Sequence, residues 1–420
     1  MKTFLLVLLV FLSFQIGNKI FAQGEAAVPI LSFNPSPKFN AMGMIGTSIP
    51  NDDPFGFYYN PAQLGNFSRN NNFAIQIYPS KVDWLNFNLI SYDNTAFNLG
   101  YNFKNLLNGL SLSAGFGFIH SKMDYGTFYS TGPNSPTPIG SFDSYDEFNA
   151  YGLGVGIEYN YILFNIGITY KKIQSFLGPE IVNNIVVGKY EATPSAIDYG
   201  FLLTVPVVKL INPEYNLFKY YDMNAVPYFN VSVGYARLNQ GGEVYYVEPA
   251  QADPLPRTAR LGYTLSAGFD VHIKNISLKV FGYDFSVDAD DELINQNFNS
   301  SPIYSYQSGI GDIQIGRNLI ELKSSNKVTV HKGNEFSFFD TFTYMIGRYD
   351  GGGFYNQKSS GIGIRARGIL QILKTKFNTP VYNYIADHFD IQYYSAKLFE
   401  DTQTQTDLKG IGLTFSGFFF

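Results

Sequence analysis

The chain has 420 residues, a formal net charge of -5 and no cysteine. The acidic balance argues against nucleic acid as a partner. The missing cysteines exclude a disulfide framework, thiol chemistry and a cysteine-linked lipid anchor. Charged residues make up 15%, against roughly 25% in ordinary soluble domains, while aromatics reach 17% with 32 Tyr and 39 Phe.

The first segment reads as a secretory signal. Lys2 gives a short positive start, and Phe4 to Ile16 is an almost unbroken apolar run. Gly17, Asn18 and Lys19 break it, and Ile20-Phe21-Ala22 before Gln23 is a cleavage site. The run is too short to span a bilayer, so residues 1–22 are expected to be removed. About 398 residues (420 minus 22) then remain. No later segment holds 18 uninterrupted apolar residues, which excludes helical spans.

Residues 31–65 are rich in Gly, Pro and Asn. Phe33-Asn34-Pro35-Ser36-Pro37-Lys38 leads to Ala41-Met42-Gly43, then Asp52-Asp53-Pro54, then Tyr59-Asn60-Pro61-Ala62-Gln63-Leu64-Gly65. Such spacing predicts a compact, turn-rich segment. Asn60 is placed to cap a short helix, with Pro61 at its first position.

From there the chain alternates with period two. Phe97, Leu99, Tyr101 and Phe103 oppose Asn98, Gly100, Asn102 and Lys104. Leu153, Val155 and Ile157 oppose Gly152, Gly154, Gly156 and Glu158. Leu261, Tyr263 and Leu265 oppose Arg260, Gly262 and Thr264. The runs last about 9–13 residues, near the ~9–11 of tilted membrane strands and above the ~5–6 of soluble ones. One face is large and apolar, the other small or polar, as for lipid outside and a polar lumen inside. A large soluble β-sandwich, which also alternates, is the alternative.

The predicted strands lie near 84–92, 95–104, 109–122, 147–159, 162–171, 198–206, 228–239, 258–271, 276–286, 328–338, 341–349, 359–370, 387–398 and 408–420. The expected fold is all-β: a transmembrane antiparallel β-barrel of about 14 strands, occupying residues 71–420. Phe73 to Tyr78 also alternates, and parity removes one of its two successors if it is a barrel strand. Short turns are expected at Asn160-Tyr161, His272 to Asn275 and Phe339-Asp340. Long polar loops are expected at 123–145, 172–197, 239–256 and 287–327, facing outward. The connection 207–226 is long where a short turn is expected. The final strand, with Ile411, Leu413, Phe415 and Phe419 on one face, is expected to close the barrel against residues near 73–92.

The motifs of residues 33–65 resemble the N-terminal signature of PorV/PorQ-type outer-membrane proteins, which are similar to the long-chain fatty acid transporter (FadL) family. Gly333 to Asp340 followed by Gly347-Arg348-Tyr349 resembles a late hairpin of that family. Lys38 and Phe39 stand near the family's usual Arg, and Gln63 departs from its Asn-Pro-Ala-Gly pattern. The resemblance implies a fourteen-stranded barrel whose residues 23–70 form a lumenal plug. Met42, Gly43, Asp52, Asp53, Asn60, Pro61 and Ala62 are its motif residues. Capping and turn formation explain Asn60-Pro61-Ala62 without a ligand; gating is the alternative.

Enzymatic signatures are missing: no GxSxG, GxGxxG or HExxH motif occurs. The chain is therefore not expected to be an enzyme, with a Ser/His lipid hydrolase as the distant alternative. No cofactor and no metal set is indicated. Asp288 to Glu292 lacks an EF-hand's spacing and reads as a solvated acidic loop rather than a calcium site. Glu158, Lys171, Arg260, Asp270, Lys279, Arg365 and Arg367 fall on inner faces, since charge facing lipid costs about 2–4 kcal/mol at midplane. Pairing that holds the plug is the expected role, and an ion filter the alternative.

The resemblance implies passive transport of small apolar molecules across the outer membrane. The second function it implies is a type IX secretion-associated role, receiving exported protein cargo. The expected partners are thus outer-membrane lipid and either an apolar small molecule or secreted cargo.

Overall fold

The computed structural model describes residues 26–86, 88–104, 111–132, 135–182, 185–248, 252–273, 276–296, 304–377 and 379–418. The expected signal (1–22), Phe419, Phe420 and the tip of the 272–275 turn lie outside them.

Fourteen antiparallel strands close into a barrel. In chain order they are β1 (Asn71–Ile77), β2 (Ser91–Asn102), β3 (Ser111–Gly132), β4 (Ser135–Tyr159), β5 (Ile162–Val182), β6 (Ser195–Pro206) and β7 (Met223–Gly241). They continue as β8 (Thr258–Ile273), β9 (Ile276–Glu292), β10 (Val328–Phe338), β11 (Phe342–Gly351), β12 (Phe354–Arg365), β13 (Phe389–Leu398) and β14 (Thr406–Ser416). Each pairs with its chain neighbour, and β1 pairs with β14 in the register Phe73↔Phe415 to Ile77↔Ile411. No edge is left open.

The alternation reads out as expected. Leu153, Val155, Ile157, Ile166, Ile168, Tyr344 and Ile346 point outward and are exposed. Their inward neighbours are glycine or polar, except Met345, which is buried between Tyr344 and Ile346. A closed barrel with an apolar exterior satisfies every backbone group internally and presents grease to its surroundings. The protein is an integral outer-membrane barrel. Both ends of the barrel chain lie at the face that carries the turns at 160–161 and 339–341, which is therefore periplasmic. Asn160, Tyr161, Phe339 and Asp340 all have positive φ, the backbone of tight hairpin turns.

Four expectations need correction. The strand expected at 84–92 does not form as such: Trp84–Asn86 is a short 3-10 turn with Leu85 at φ 63°, and only Ser91 and Tyr92 are strand, as the start of β2. The parity alternative holds instead, with β1 at 71–77. The loops expected at 123–145 and 172–197 are largely strand, because β3, β4 and β5 run on past the bilayer as tall hairpins. Their period-two pattern weakens there because neither face meets lipid. Strand β12 stops at Arg365, and Arg367 starts a helix rather than sharing the lumen face. Finally, β9 continues through Glu292, so Asp288 to Glu292 is strand and not loop.

The N-terminal segment lies inside the barrel. It contains α1 (Pro37–Ala41), α2 (Gly56–Tyr59) and α3 (Gln63–Ser68), while α4 (Val207–Ile211) lies in the connection between β6 and β7. Between them, residues 37–68 touch all fourteen strands from within. The Ser36 hydroxyl caps α1 by accepting from Phe39 N at 3.3 Å, with Pro37 in the first turn. Phe39, Phe55, Phe57, Tyr59 and Phe67 are fully buried. Each such ring contributes about 1.5–3 kcal/mol relative to exposure. The core of this barrel is therefore its own N-terminal segment.

Inward glycines make the fit. A Cβ on Gly347 would overlap the Gly43 amide, one on Gly167 the Pro61 carbonyl, and one on Gly234 the Thr47 carbonyl. The wall and the segment thus meet backbone to backbone. Gly347→Val should leave the barrel intact, seen as retained heat-modifiable migration. It should expose residues 26–70 to added protease; equal protection of variant and parent would contradict this packing.

Candidate functional site

Two charge clusters fix the lumenal segment. On one side Asp52 accepts from Arg365 Nη2 at 2.7 Å, and Arg365 also holds Asp390 at 2.7 Å. Lys38 pairs with Glu335 at 2.9 Å nearby. On the other side Asp288 accepts from the Gly46 and Thr47 amides, both at 2.9 Å, and from the Ser48 hydroxyl at 3.3 Å. Arg260 donates to Asp290 at 2.8 Å and to the Met44 carbonyl at 2.9 Å. His331 donates through Nδ1 to the Gly43 carbonyl at 2.7 Å and sets Nε2 3.2 Å from Asp290. The Gly43 amide in turn donates to the Ser359 hydroxyl at 2.9 Å. Gly43 sits at φ 75°, a left-handed conformation that glycine adopts without penalty.

The remaining motif residues are structural in the same sense. Asp53 accepts from the Ser36 hydroxyl at 2.5 Å and the Phe55 amide at 2.9 Å. Asn60 accepts from the Ala62 amide at 3.1 Å and donates to the Thr47 and Phe201 carbonyls, both at 2.8 Å. It closes a turn two residues ahead of α3 rather than capping Pro61 directly. It also ties the segment to β6. Met42 and Ala62 are fully buried against the wall.

Of the inner-face charges, Arg260 and Arg365 belong to these clusters. Lys171 is sealed at 2.8 Å from Asp198 and 4.5 Å from the Tyr58 ring. Glu158 faces Arg69 at 3.6 Å, and Asp270 lies with Lys279 and Lys209 around a cavity of about 260 Å³ at the periplasmic mouth. Arg367 contributes its backbone, donating to Asp390 at 3.0 Å. Asp288, Asp290, His331, Glu335 and Ser359 were not singled out by the sequence as site residues. The inward parity of Asp288 and Asp290 along β9 was the available signal. Among the described residues, no three His or acidic groups gather as a metal set.

Above the segment lies a second cavity of about 330 Å³. Leu31, Phe33, Trp84, Leu238, Phe354 and Phe399 supply apolar wall, and Arg260, Asp290 and His331 the polar floor. Phe33 and Trp84 meet at 4.5 Å between ring centroids. The Tyr349 hydroxyl, also in the lining, has no protein partner. The volume falls at the lower end of the ~300–1,000 Å³ typical of small-molecule sites.

No family model and no curated relative matches the chain. Among solved structures it is similar to the Pseudomonas putida toluene transporter TodX, at 10% identity and TM-score 0.39, covering 91% of this chain and 98% of that one. It is likewise similar to the CymD monoaromatic hydrocarbon channel, at 10% identity and TM-score 0.39, covering 92% and 98%. A Pseudomonas aeruginosa FadL homologue is similar at 11% identity and TM-score 0.30, covering 94% and 98%.

Protonation links the segment's seat to pH. Burial pushes the Asp52 carboxyl up, but the Arg365 guanidinium, aided by Lys38, outweighs this and holds its pKa at about 2. Burial also works against the Lys38 ammonium, and Glu335, with Tyr394 and Asp52, more than offsets it. Asp53 differs: burial pushes it up to about 6 against the bonds from Ser36 and Phe55. A depressed carboxyl stabilises above its unfolded value of 3.8, and that stability is lost as pH falls towards 2. A raised carboxyl costs stability above about 6, and the cost is relieved as pH falls from 6 to 3.8. The segment should therefore be held most tightly near pH 4 and less tightly as pH rises from there to 6. Hydrogen exchange of residues 36–60, corrected for intrinsic rates, should be slowest near pH 4; a profile flat from pH 3 to 8 would contradict the assignment.

Proposed function

We propose that this protein carries small, mostly apolar molecules passively across the outer membrane. The observation that carries the reading is the aromatic-walled cavity held over the lumenal segment. In this reading residues 23–70 are a plug, residues 71–420 the barrel, and residues 1–22 a removed signal. The upper cavity receives the molecule, and the charged mouth around Asp270 and Lys279 releases it. The plug's contacts, Met42 to Ala62, hold it in place rather than bind the cargo. The protein acts as a conduit and not as an enzyme. The neighbours described as toluene and monoaromatic hydrocarbon channels make aromatic hydrocarbons the first molecules to test. The PorV/PorQ likeness and its secretion role rest on the sequence motifs alone.

Trp84 is the chain's one tryptophan and lines the upper cavity. Titration of the reconstituted protein with a monoaromatic hydrocarbon should change Trp84 emission saturably, and Phe33→Asp should weaken the response at least tenfold. A linear, unsaturable response in both, with secreted protein co-purifying from native membranes, would move the reading to cargo reception.

A further inference from the structure

Between β12 and β13, on the periplasmic rim, stand two helices, α5 (Arg367–Lys374) and α6 (Pro380–His388). Their polarity is reversed. In α5 the buried positions are Gly368 and Gln371, and Gln371 donates to the Ala386 carbonyl at 2.7 Å and to Asp387 at 3.1 Å. Ile369, Ile372 and Leu373 point away from the protein and are exposed. In α6 Ala386 is buried, while Val381, Tyr384 and Ile385 are exposed, Val381 by 73%. Both helices thus show the spacing i, i+3, i+4 on their outer face. In water this arrangement is unfavourable, because it leaves apolar surface exposed. It is the arrangement expected of a helix lying in a membrane interface.

The surface continues the lipid-facing band. Helix α5 begins two residues after the end of β12, whose outward Ile364 is exposed. Gly368 donates to the Asp340 carbonyl at 3.2 Å in the neighbouring turn, beside exposed Phe338, Phe339 and Phe342. The hairpin's charge is complementary to phospholipid. Residues 367–388 carry Arg367, Lys374 and Lys376 against Asp387, a balance of +2 (three minus one) in a chain of -5. Lys374 is held by Asp387 at 2.7 Å, which leaves Arg367 and Lys376 as exposed cations flanking α5.

We infer that the α5–α6 hairpin is an interfacial foot. It rests on the inner leaflet of the outer membrane, with its apolar face in the acyl boundary and its cations at anionic phospholipid headgroups. Such a foot also fixes the barrel's height at the β12–β13 edge. It stands independently of what passes through the lumen.

The chain has no cysteine, so single labels are clean. Ile372→Cys and Tyr384→Cys, each carrying a nitroxide, are compared in proteoliposomes of zwitterionic and anionic phospholipid. Ile346→Cys on the outer wall marks lipid, and Gln403→Cys in an outer loop marks water. Val381→Cys serves if either variant loses its heat-modifiable form. The inference predicts collision with oxygen well above collision with a water-soluble nickel chelate, as at position 346. Nickel-dominated collision, as at position 403, would overturn it. Shielding from both reagents, the mark of a protein partner, would overturn it equally.

Discussion

The close backbone approach between the lumenal segment and the inward glycines of the wall is the constraint on which the other features depend. Fourteen strands enclose more space than their own inner side chains fill. A glycine-lined wall cannot fill it either. The N-terminal segment does, and its aromatic rings supply the hydrophobic core that a membrane barrel cannot place on its outside. Once the segment is seated, polar atoms on both sides lose water and must pair. Asp288 meets the Gly46 and Thr47 amides, and Arg365 bridges Asp52 to Asp390.

These ionic contacts are best seen as register marks. A buried pair gains little net stability, while breaking one leaves an uncompensated charge. Lys38 with Glu335, Arg260 with Asp290 and Arg365 with Asp52 sit at separate points around the segment. Together they admit one seating of a chain that apolar packing alone would leave free to slide. The cavity above is a product of that seating. Its floor is the Arg260–Asp290–His331 cluster, and its walls are rings from the segment, the β1–β2 connection and the outer strand ends.

Much of the barrel was legible because lipid enforces a strict two-residue period. The outward Leu153, Val155 and Ile157, and the turns at Asn160-Tyr161 and Phe339-Asp340, followed from it directly. The closing pair of β1 and β14 followed once Phe73 to Tyr78 was taken as a strand. Where lipid stops, the period loses its cause. That is why β3 to β5 looked like loops beyond residue 123 and why Asp288 to Glu292 looked like a solvated acidic loop. The α5–α6 hairpin was hidden for the opposite reason: Gly361 to Gly368 keeps a strand-like alternation two residues past the point where β12 turns into helix. The motif residues Asp52, Asp53 and Asn60 were legible as important, but their partners on distant strands were not. Contacts such as Asp52 with Arg365, 313 residues apart, leave no local pattern.

Residues 26–70 fill the lumen and close it to water. Single-channel recording in planar bilayers tests this closure most directly, because ions report any continuous polar path. The native protein should stay at or near zero conductance, and removing the segment's seat by Gly347→Val should give large, sustained openings. A steady open-pore conductance from the native protein, unchanged in the variant, would contradict this closure.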